Sequence, residues 1–428
     1  MVFNAGDIAW VATSTALVMF MTPGLAFFYG GLVRRRDLVS TLSQCLTIFA
    51  LVSLVWVFWG YSLVFGPDAF LGLIGNLSKA GLSNIVPTTP STYPTTSILN
   101  GVPLTGNIPE LLVFAFQLKF AAITPALVIG AFAGRIKFRS LIIFVILWST
   151  FIYAPIAHWL WGIGVLGAPS GWLHSLGAVD FAGGMVVHAS AGMTALAAAL
   201  VIGKRKDLGV RELKPNNIPF VILGAGLLWF GWFGFNGGSA LAADAVAVNA
   251  VVVTNLAAAA AALSWMAIDW IRRGKPSSVG VVVGAVCGLA AITPASGYVG
   301  VPASIIIGIG AGAMSNLVAN WRASRMIFDD TLDVFACHGV GGIWGSLATG
   351  LFASKAINLS GPNGLFFGNP HQFLVQAIAV AVVISFAFVG SFVILKIVNF
   401  FTPLRVSPEE EEKGLDETQH GEAAYSEE

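Results

Sequence analysis

Apolar runs of roughly 20 residues recur along the whole chain, and a run of that length can cross a bilayer as one helix. We count eleven, at about 7–32, 42–65, 110–134, 140–160, 178–202, 217–238, 246–271, 278–297, 300–320, 334–353 and 372–399. Because 56% of the residues are hydrophobic and only 10% are charged, an ordinary soluble globular protein is excluded. The sequence therefore predicts an all-α polytopic membrane protein with eleven transmembrane helices.

Basic residues alternate between the loops, and this alternation predicts the orientation of the chain. The loops after odd-numbered segments carry Arg34, Arg35, Arg36, Arg135, Lys137, Arg139, Lys204, Arg205, Lys206, Arg211, Lys214, Arg272, Arg273, Lys275, Arg322 and Arg325. The loops after even-numbered segments carry only Lys79 and Lys355. Since lysine and arginine stay on the cytoplasmic side, we predict the N-terminus outside and the C-terminus inside.

Three regions at or outside the ends of the apolar runs can be interpreted from composition. No basic segment precedes the first run and no small-residue cleavage site follows it, so we predict a retained helix and not a signal peptide. Residues 76–109 are rich in Pro, Ser, Thr and Gly and form an external loop placed to cap the outer mouth. Residues 408–428 are strongly acidic and cannot anchor to anionic lipids. A solvated tail and a docking segment both stay open for them.

Two copies of one motif mark an internal repeat. DFAGGMVVHASAG runs from Asp180 to Gly192, and DTLDVFACHGVGG runs from Asp330 to Gly342. Each copy has Asp, then His eight residues later, then Gly four further on, and the copies open segments five and ten. Repeats of five crossings must insert in opposite directions, which is the inverted topology of many transporters. The predicted transmembrane domain, 1–399, contains repeat one at about 7–202, repeat two at about 217–353 and a long final helix at about 372–399, before a cytoplasmic tail at 400–428.

The histidines of the repeat are the first candidate site residues. Counted from Asp180 and Asp330, His188 lies about 12 Å down its helix from the outer end and His338 about 12 Å from the cytoplasmic end, because a helix rises about 1.5 Å per residue. An ionisable group inside the bilayer is a functional candidate, and inverted-repeat transporters bind substrate near the midplane. We therefore interpret the two imidazoles as a pair at a substrate site.

The aspartates of the repeat allow two interpretations. A spacing of eight residues turns a helix about 80° beyond two full turns, so Asp180 need not share a face with His188. Its carboxylate could cap the helix or contact substrate, and both interpretations stay open, as they do for Asp333. Metal binding is disfavoured although Cys337 adjoins His338, because adjacent residues point to different helix faces and no spaced Cys or His motif is present. We predict no metal and no cofactor.

The apolar runs also restrict the substrate. A permanent ion such as K⁺ would need rings of carbonyl or carboxylate groups, whereas imidazole can hydrogen-bond a small neutral molecule and carry a proton. A substrate that can shed its charge therefore fits better. Aromatic residues beside small ones, in FQLKFAAITPA, HWLWGIG and GWFGFNGGS, either pack in a belt or select a cation through their ring faces, with Ser239 accepting a hydrogen bond. A net charge of +1 without a basic surface predicts no nucleic-acid partner.

The sequence closely resembles the ammonium transporters of the Amt/Mep/Rh superfamily, and specifically the Amt branch. GLAFFYGGLVRRR, HWLWG, DFAGGMVVHASAG with the following LAAALVIGKR, GWFGFNGGS, TPASGYV and DVFACHGVGG occur in the order typical of the family. They cover nearly the whole chain. The resemblance implies a homotrimer with one pore per subunit, each subunit having two inverted five-helix halves and a long final helix.

The resemblance also implies roles for individual residues. Phe116, Trp161 and Ser239 would line an outer recruitment site for ammonium, and Asp180 would support recruitment and deprotonation. Phe120 and Phe235 resemble the paired rings that close the pore, whereas His188 and His338 resemble the twin histidines.

The implied transport is electrogenic. The ion would leave its proton behind, cross as ammonia and regain a proton inside, while the proton is relayed separately. Neutral ammonia avoids the cost of a charge in an apolar duct.

The tail and one lysine complete the comparison with the family. GLDETQHGEAAY, Gly414 to Tyr425, resembles the cytoplasmic tail motif, which implies contact between neighbouring subunits and regulation by a trimeric PII-type nitrogen signal protein. Lys119, just before Phe120, departs from the expected pattern. A snorkelling or subunit-interface position is favoured for Lys119, since a charge facing the pore would alter gating.

We therefore predict an electrogenic ammonium uptake transporter of the cytoplasmic membrane that is not an enzyme. An electroneutral ammonia gas channel of the Rh type would use the same histidines without net current. An ammonium sensor would keep the pore and transport poorly, and the lack of an appended signalling domain counts against it. A membrane enzyme would need a nucleophile–base or metal set that the sequence lacks.

Overall fold

A computed structural model describes residues 3–99, 102–163, 170–210 and 213–425; Arg211, one of the basic loop residues, lies outside them. Eleven long helical segments follow one another in these ranges, and each overlaps one predicted apolar run. They are α1 (Ala5–Leu32), α2 (Arg35–Phe65), α3 (Glu110–Phe132), α4 (Phe138–Trp161), α5 (Gly184–Ile202), α6 (Ile218–Ala240), α7 (Ala245–Arg273), α8 (Ser278–Ile292), α9 (Val301–Arg325), α10 (Phe335–Gly339 continued by Val340–Phe352) and α11 (Pro370–Phe401). Nine are long and apolar enough to cross a membrane, whereas α8 and α10 are shorter.

Helix α5 begins later than the sequence predicts. The predicted run starts at residue 178, but the helix starts at Gly184, because Gly183 adopts a φ of 110° that a residue with a Cβ rarely adopts. His188 therefore lies about 6 Å from the helix start, and the prediction of about 12 Å was too long. Helix α10 likewise begins at Phe335, three residues before His338.

Helices of the two predicted halves pack in corresponding pairs. The first helix of each half, α1 and α6, meet where a Cβ at Gly224 would lie 2.2 Å from the backbone nitrogen of Phe28. The last helix of each half, α5 and α10, meet where a Cβ at Gly192 would lie 2.1 Å from the backbone nitrogen of Gly339. Such approaches exclude a side chain, so small residues let the backbones of these helices touch.

A buried arginine joins the ends of three segments. Arg135 Nη1 donates to the Gly203 carbonyl at 2.5 Å and to Asp329 Oδ2 at 3.0 Å. Its Nη2 donates to the Asp329 carbonyl at 2.7 Å and to Thr331 Oγ1 at 2.9 Å. Burial lowers the pKa of the guanidinium to about 10, with Asp329 acting in the opposite direction, so Arg135 stays charged at neutral pH. The ends of α3 and α5 and the segment before α10 therefore meet on one side of the molecule.

The loop between α2 and α3 is held against the helix ends. Within its described residues, Ile98–Leu99 pairs with Val102–Pro103 in a short antiparallel hairpin. Lys79 Nζ donates to Glu110 Oε1 at 2.7 Å, and the Thr96 hydroxyl donates to Asp244 Oδ2 at 2.6 Å. These contacts make the loop an ordered part of the surface.

The acidic tail docks onto the chain, so docking is the interpretation that the structure supports. A short helix, α12 (Pro408–Lys413), begins with a capping box at Ser407. Beyond it, the Asp416 carboxylate accepts the N–H groups of Val39 at 3.0 Å and Ser40 at 2.8 Å. Asp416 thereby caps the α-helical part of α2, which begins at Leu38, from the far end of the sequence.

Candidate functional site

The carboxylate of Asp180 caps the start of α5. Oδ1 accepts the N–H groups of Gly183 and Gly184 at 3.0 and 2.6 Å, and Oδ2 accepts those of Met185 and Val186 at 2.8 and 3.0 Å. The side chain is buried, and four N–H groups occupy the lone pairs of the carboxylate. Capping is thus the role visible in the geometry, and direct contact with a substrate would break one of these bonds.

Asp330 is the counterpart at the start of α10. It accepts the N–H groups of Val334 at 3.1 Å and Phe335 at 2.7 Å. Burial raises the pKa of the Asp330 carboxyl to about 6, and the nearby Asp333 acts in the same direction. Asp333 itself accepts from Arg322 Nε at 2.7 Å. Of the two aspartates in this copy of the motif, Asp330 caps the helix and Asp333 forms an ion pair.

His188 and His338 have neighbouring, nearly parallel rings near the start of these two helices. Their ring centroids are 5.2 Å apart and their planes are 19° from parallel. Both lie in π-helical turns, a geometry that is frequent at functional sites. The residues are 1% and 2% exposed. Among the described residues, both nitrogens of His188 and Nδ1 of His338 lack a hydrogen-bond partner. Leaving such groups unpaired is costly, so these nitrogens are suited to a polar guest.

A small apolar cavity adjoins the histidine pair. Its volume is about 10 Å³, which is room for about one molecule of the size of water. Besides the two histidines, its lining is hydrophobic and comes from α1, α3, α6 and α8: Met21, Leu25, Phe28, Ile123, Leu127, Leu228, Trp232, Phe235 and Val286. Such a lining offers no counter-charge to an ion.

A pair of phenylalanine rings closes one side of the cavity. The centroids of Phe120 and Phe235 are 4.1 Å apart, and both residues are fully buried. Phe235 lines the cavity and lies 6.0 Å from the ring of His188. Phe120 lies 4.9 Å from Phe116 and 6.1 Å from Trp161. The structure therefore brings the predicted rings together in one continuous series that ends at the histidines.

The predicted recruitment residues lie beyond these two rings. Trp161 Nε1 donates to the Asp180 carbonyl at 2.8 Å. The Ser239 hydroxyl donates to the Phe235 carbonyl at 2.8 Å, which leaves its oxygen free to accept. The Phe116 ring packs against Gly238, the residue before Ser239, where a Cβ would lie 2.8 Å from a ring carbon. Ring faces beside a hydroxyl acceptor suit a small cation that carries N–H groups.

Comparison with known proteins decides the family. A sequence profile of the Ammonium Transporter Family matches residues 9–425. The chain belongs to the ammonium transporter family. The ammonium transporter Amt1 of Archaeoglobus fulgidus is 47% identical to it over 421 residues, which cover 98% of this chain and 99% of the relative. An ammonium transporter of Bacillus subtilis is 46% identical over 420 residues, which cover 98% of each chain.

Solved structures agree with this assignment. Mep2 of Saccharomyces cerevisiae superposes with a TM-score of 0.85 at 34% identity, covering 95% of this chain and 88% of that one. A sensor Amt protein superposes with a TM-score of 0.86 at 29% identity, covering 97% of this chain and 98% of that one. The chain is therefore a multi-pass membrane protein of a family that transports ammonium, and family membership assigns it to transporters rather than enzymes.

The transporter has one prominent cavity residue that the sequence prediction missed. Trp232 stacks on His188 with centroids 5.3 Å apart and planes 26° from parallel, and its Nε1 donates to Thr293 Oγ1 at 2.9 Å. A signal was present, because Leu228, Trp232 and Phe235 are four and three residues apart and so share a helix face. Helical spacing alone does not distinguish a pore lining from ordinary packing.

Lys119 of the transporter is not part of the cavity lining. It is half-buried, and its Nζ lies 5.0 Å from the centroid of the Phe49 ring on α2. This position agrees with the favoured interpretation, in which the charge does not face the pore.

In the described ranges, no cluster of three His, Cys, Asp or Glu side chains could hold a metal ion.

Proposed function

We propose that the transporter takes up ammonium across the cell membrane by removing one proton, conducting ammonia past His188 and His338, and relaying the proton separately. The observation that carries this proposal is the stacked histidine pair beside an apolar cavity of about 10 Å³. An ammonium ion entering the cavity would lose its hydration without gaining a counter-charge, which is expensive. Ammonia is neutral and similar in size to water, so it fits.

Recruitment takes place outside the phenylalanine pair. The ring faces of Phe116 and Trp161 attract a cation, and the Ser239 oxygen accepts one of its N–H groups. Asp180 acts through its negative charge, because its oxygens already accept four backbone N–H groups. The contact of Trp161 with the Asp180 carbonyl supports a role for this carboxylate beside the recruitment site.

The phenylalanine rings then gate the pore, and the histidines bind ammonia and hold a proton. Phe120 and Phe235 stack at 4.1 Å, so one ring must rotate before a molecule passes. Beyond them, the unpartnered imidazole nitrogens bind ammonia and hold a proton. The two rings lie 5.2 Å apart, so a proton on one is felt by the other, and the titration belongs to the pair and not to either residue.

The proposal includes the full topology. We infer eleven crossings in two inverted halves, at about 7–202 and 217–353, followed by α11, with the N-terminus outside and the C-terminus inside. The alternation of basic loops supports this orientation. The matching α1–α6 and α5–α10 packing supports the repeat. The Arg135 junction and the docked tail then face the cytoplasm.

The assembly and the partner are also proposals. We infer a homotrimer that binds a PII-type nitrogen signal protein on its cytoplasmic face. The support is the resemblance of residues 414–425 to the family tail motif. Native mass spectrometry of the detergent-solubilised protein tests the stoichiometry, and a monomer under conditions that retain transport would contradict it.

The experiment that tests the mechanism is solid-supported-membrane electrophysiology on proteoliposomes after an ammonium concentration jump. We expect a transient current in the wild type and its loss in the double variant His188→Ala/His338→Ala. His371→Ala is the matched control, because His371 is exposed at the start of α11 and far in sequence from the pair. Its current should equal that of the wild type.

Two other outcomes would favour other functions. Ammonia uptake in a pH-dye assay without any current would overturn the electrogenic mechanism and support an electroneutral gas channel. The likeness to a sensor Amt protein makes sensing the second candidate. Neither current nor uptake in a protein that still binds ammonium would support the sensor.

A further inference from the structure

Two thiols touch behind the wall of the cavity. Sγ of Cys287 in α8 lies 3.2 Å from Sγ of Cys337 in α10, and both cysteines are free and buried. The chain has three cysteines in all. The third, Cys45 in α2, is also free and buried.

Each of these two cysteines is next to a cavity-lining residue in the sequence. Cys287 follows Val286, and Cys337 precedes His338. Both Val286 and His338 line the cavity. A covalent change at the two sulfur atoms would therefore act one residue away from the conduction path. The proposed transport mechanism uses neither thiol.

We propose that Cys287 and Cys337 form an oxidation site, at which a peroxide closes an intramolecular disulfide that slows transport. A peroxide is the chosen oxidant because hydrogen peroxide is small, neutral and polar, like the molecule for which the cavity has room. The inference about the disulfide stands apart from the proposed function. Its effect on transport rests on that function.

The oxidation balances in two steps. The thiol of Cys337, which is 7% exposed while Cys287 is fully buried, attacks one peroxide oxygen. The O–O bond breaks, a sulfenic acid forms on Cys337, and the departing oxygen takes the thiol proton and leaves as water. The sulfur of Cys287 then attacks the sulfenic sulfur, the S–O bond breaks, and a second water leaves with the Cys287 proton. Two thiols and one hydrogen peroxide thus give one disulfide and two waters.

Closing the bond must move the pore wall. An S–S bond is about 2.05 Å long, so the sulfur atoms approach by about 1.1 Å from their separation of 3.2 Å. Drawing Cys337 toward α8 also pulls on the backbone of α10, whose Gly339 packs closely against Gly192 of α5. We expect this pull to shift His338, the next residue, and to disturb its nearly parallel arrangement with His188.

The first test measures the bond itself in the purified full-length protein. The sample is treated with hydrogen peroxide, unfolded, alkylated with N-ethylmaleimide and weighed by mass spectrometry. We expect one alkylated cysteine after oxidation and three after dithiothreitol, with a peptide map that joins the Cys287 and Cys337 peptides. Three alkylated cysteines after oxidation, or a sulfinic acid on Cys337 with Cys287 still free, would overturn the inference.

The second test measures transport. We expect oxidation to lower the ammonium-jump current of the wild type severalfold and dithiothreitol to restore it. Cys287→Ala should transport normally and should keep most of its current after oxidation, because Cys337 then stops at a sulfenic acid and no disulfide draws α8 and α10 together. The matched control Cys45→Ala should remain as sensitive as the wild type. A disulfide that forms without changing the current would refute the pore effect. An equal loss of current in Cys287→Ala would show that the disulfide does not cause the loss and would overturn its proposed effect on transport. A wild type without current before oxidation would instead count against the proposed transport function, and the alkylation result would still decide whether the site exists.

Discussion

His188 and His338 keep their ring planes within 19° of parallel at a centroid distance of 5.2 Å, although they begin two different helices. Each ring lies just after a turn capped by an aspartate, Asp180 for α5 and Asp330 for α10. The two helices touch at Gly192 and Gly339, which follow the histidines by four residues and one residue. The stacking of the pair therefore depends on backbone contacts that contain no imidazole atom.

The backbone contact between α5 and α10 gives the first prediction. Gly192→Ala places a methyl group 2.1 Å from the Gly339 nitrogen, so one helix must move and the histidine pair separates. We expect severalfold less transport current and a lower melting temperature. Gly226→Ala is the control, because a Cβ there meets nothing within 4 Å. Unchanged behaviour of Gly192→Ala would show that the helices can move apart without affecting the pair.

The unequal caps give the second prediction. Asp180→Ala leaves four buried N–H groups without an acceptor, whereas Asp330→Ala leaves two. Each unsatisfied buried group costs about 1–3 kcal/mol, so Asp180→Ala should destabilise the protein by about 2–6 kcal/mol more than Asp330→Ala. Thermal unfolding in detergent measures this difference. Equal melting temperatures would mean that water or a shifted backbone replaces the Asp180 carboxylate.

The ring beneath His188 gives the third prediction. Trp232→Phe shortens the stacked surface and removes the hydrogen bond to Thr293, whose hydroxyl still donates to the Leu289 carbonyl. No polar group is left unpaired, so we expect only the stability loss of a smaller ring at a buried position, while the transport current falls severalfold. Thr293→Val separates the loss of the ring from the loss of the hydrogen bond. It keeps the Trp232 ring in place but leaves the indole N–H without an acceptor. If Trp232→Phe transported like the wild type, the stack would be packing alone.

The tail contact gives the fourth prediction. Asp416→Ala removes the carboxylate that caps Val39 and Ser40, and losing such a cap costs about 1 kcal/mol. We expect faster cleavage of the tail by a glutamate-specific protease. Lys413→Ala is the neighbouring control, because it keeps every glutamate in the tail and Lys413 is exposed and pairs with Glu417 on the surface. Cleavage of Asp416→Ala at the wild-type rate would indicate that the remaining tail contacts suffice for docking.

Much of the site was predictable because it depends on local or periodic properties. A charged group in an apolar run is expensive wherever the run folds, which singled out His188 and His338. Phe116 and Phe120 were singled out by the resemblance to the family, and their spacing of four residues agrees with their ring contact at 4.9 Å. Trp232 is likewise four residues from Leu228, but it resembled a packing residue. Periodicity shows which helix face a residue is on, and it does not show whether that face lines a pore or packs against another helix.

The sequence by itself determined the class of protein and its apolar helices, and its motifs resembled those of one family. It did so because each unpaired backbone group and each charge placed in a bilayer adds its own free-energy cost. That cost depends on the residue itself, so it can be recognised along the chain. Only the tertiary structure decided that Asp180 is occupied by backbone N–H groups, that the histidines stack beside a cavity of about 10 Å³, and that Cys287 touches Cys337. These features depend on where helices start and how closely they approach. Both are decided by contacts between residues far apart in the chain and by the positive φ of Gly183, which hydrophobic periodicity does not record.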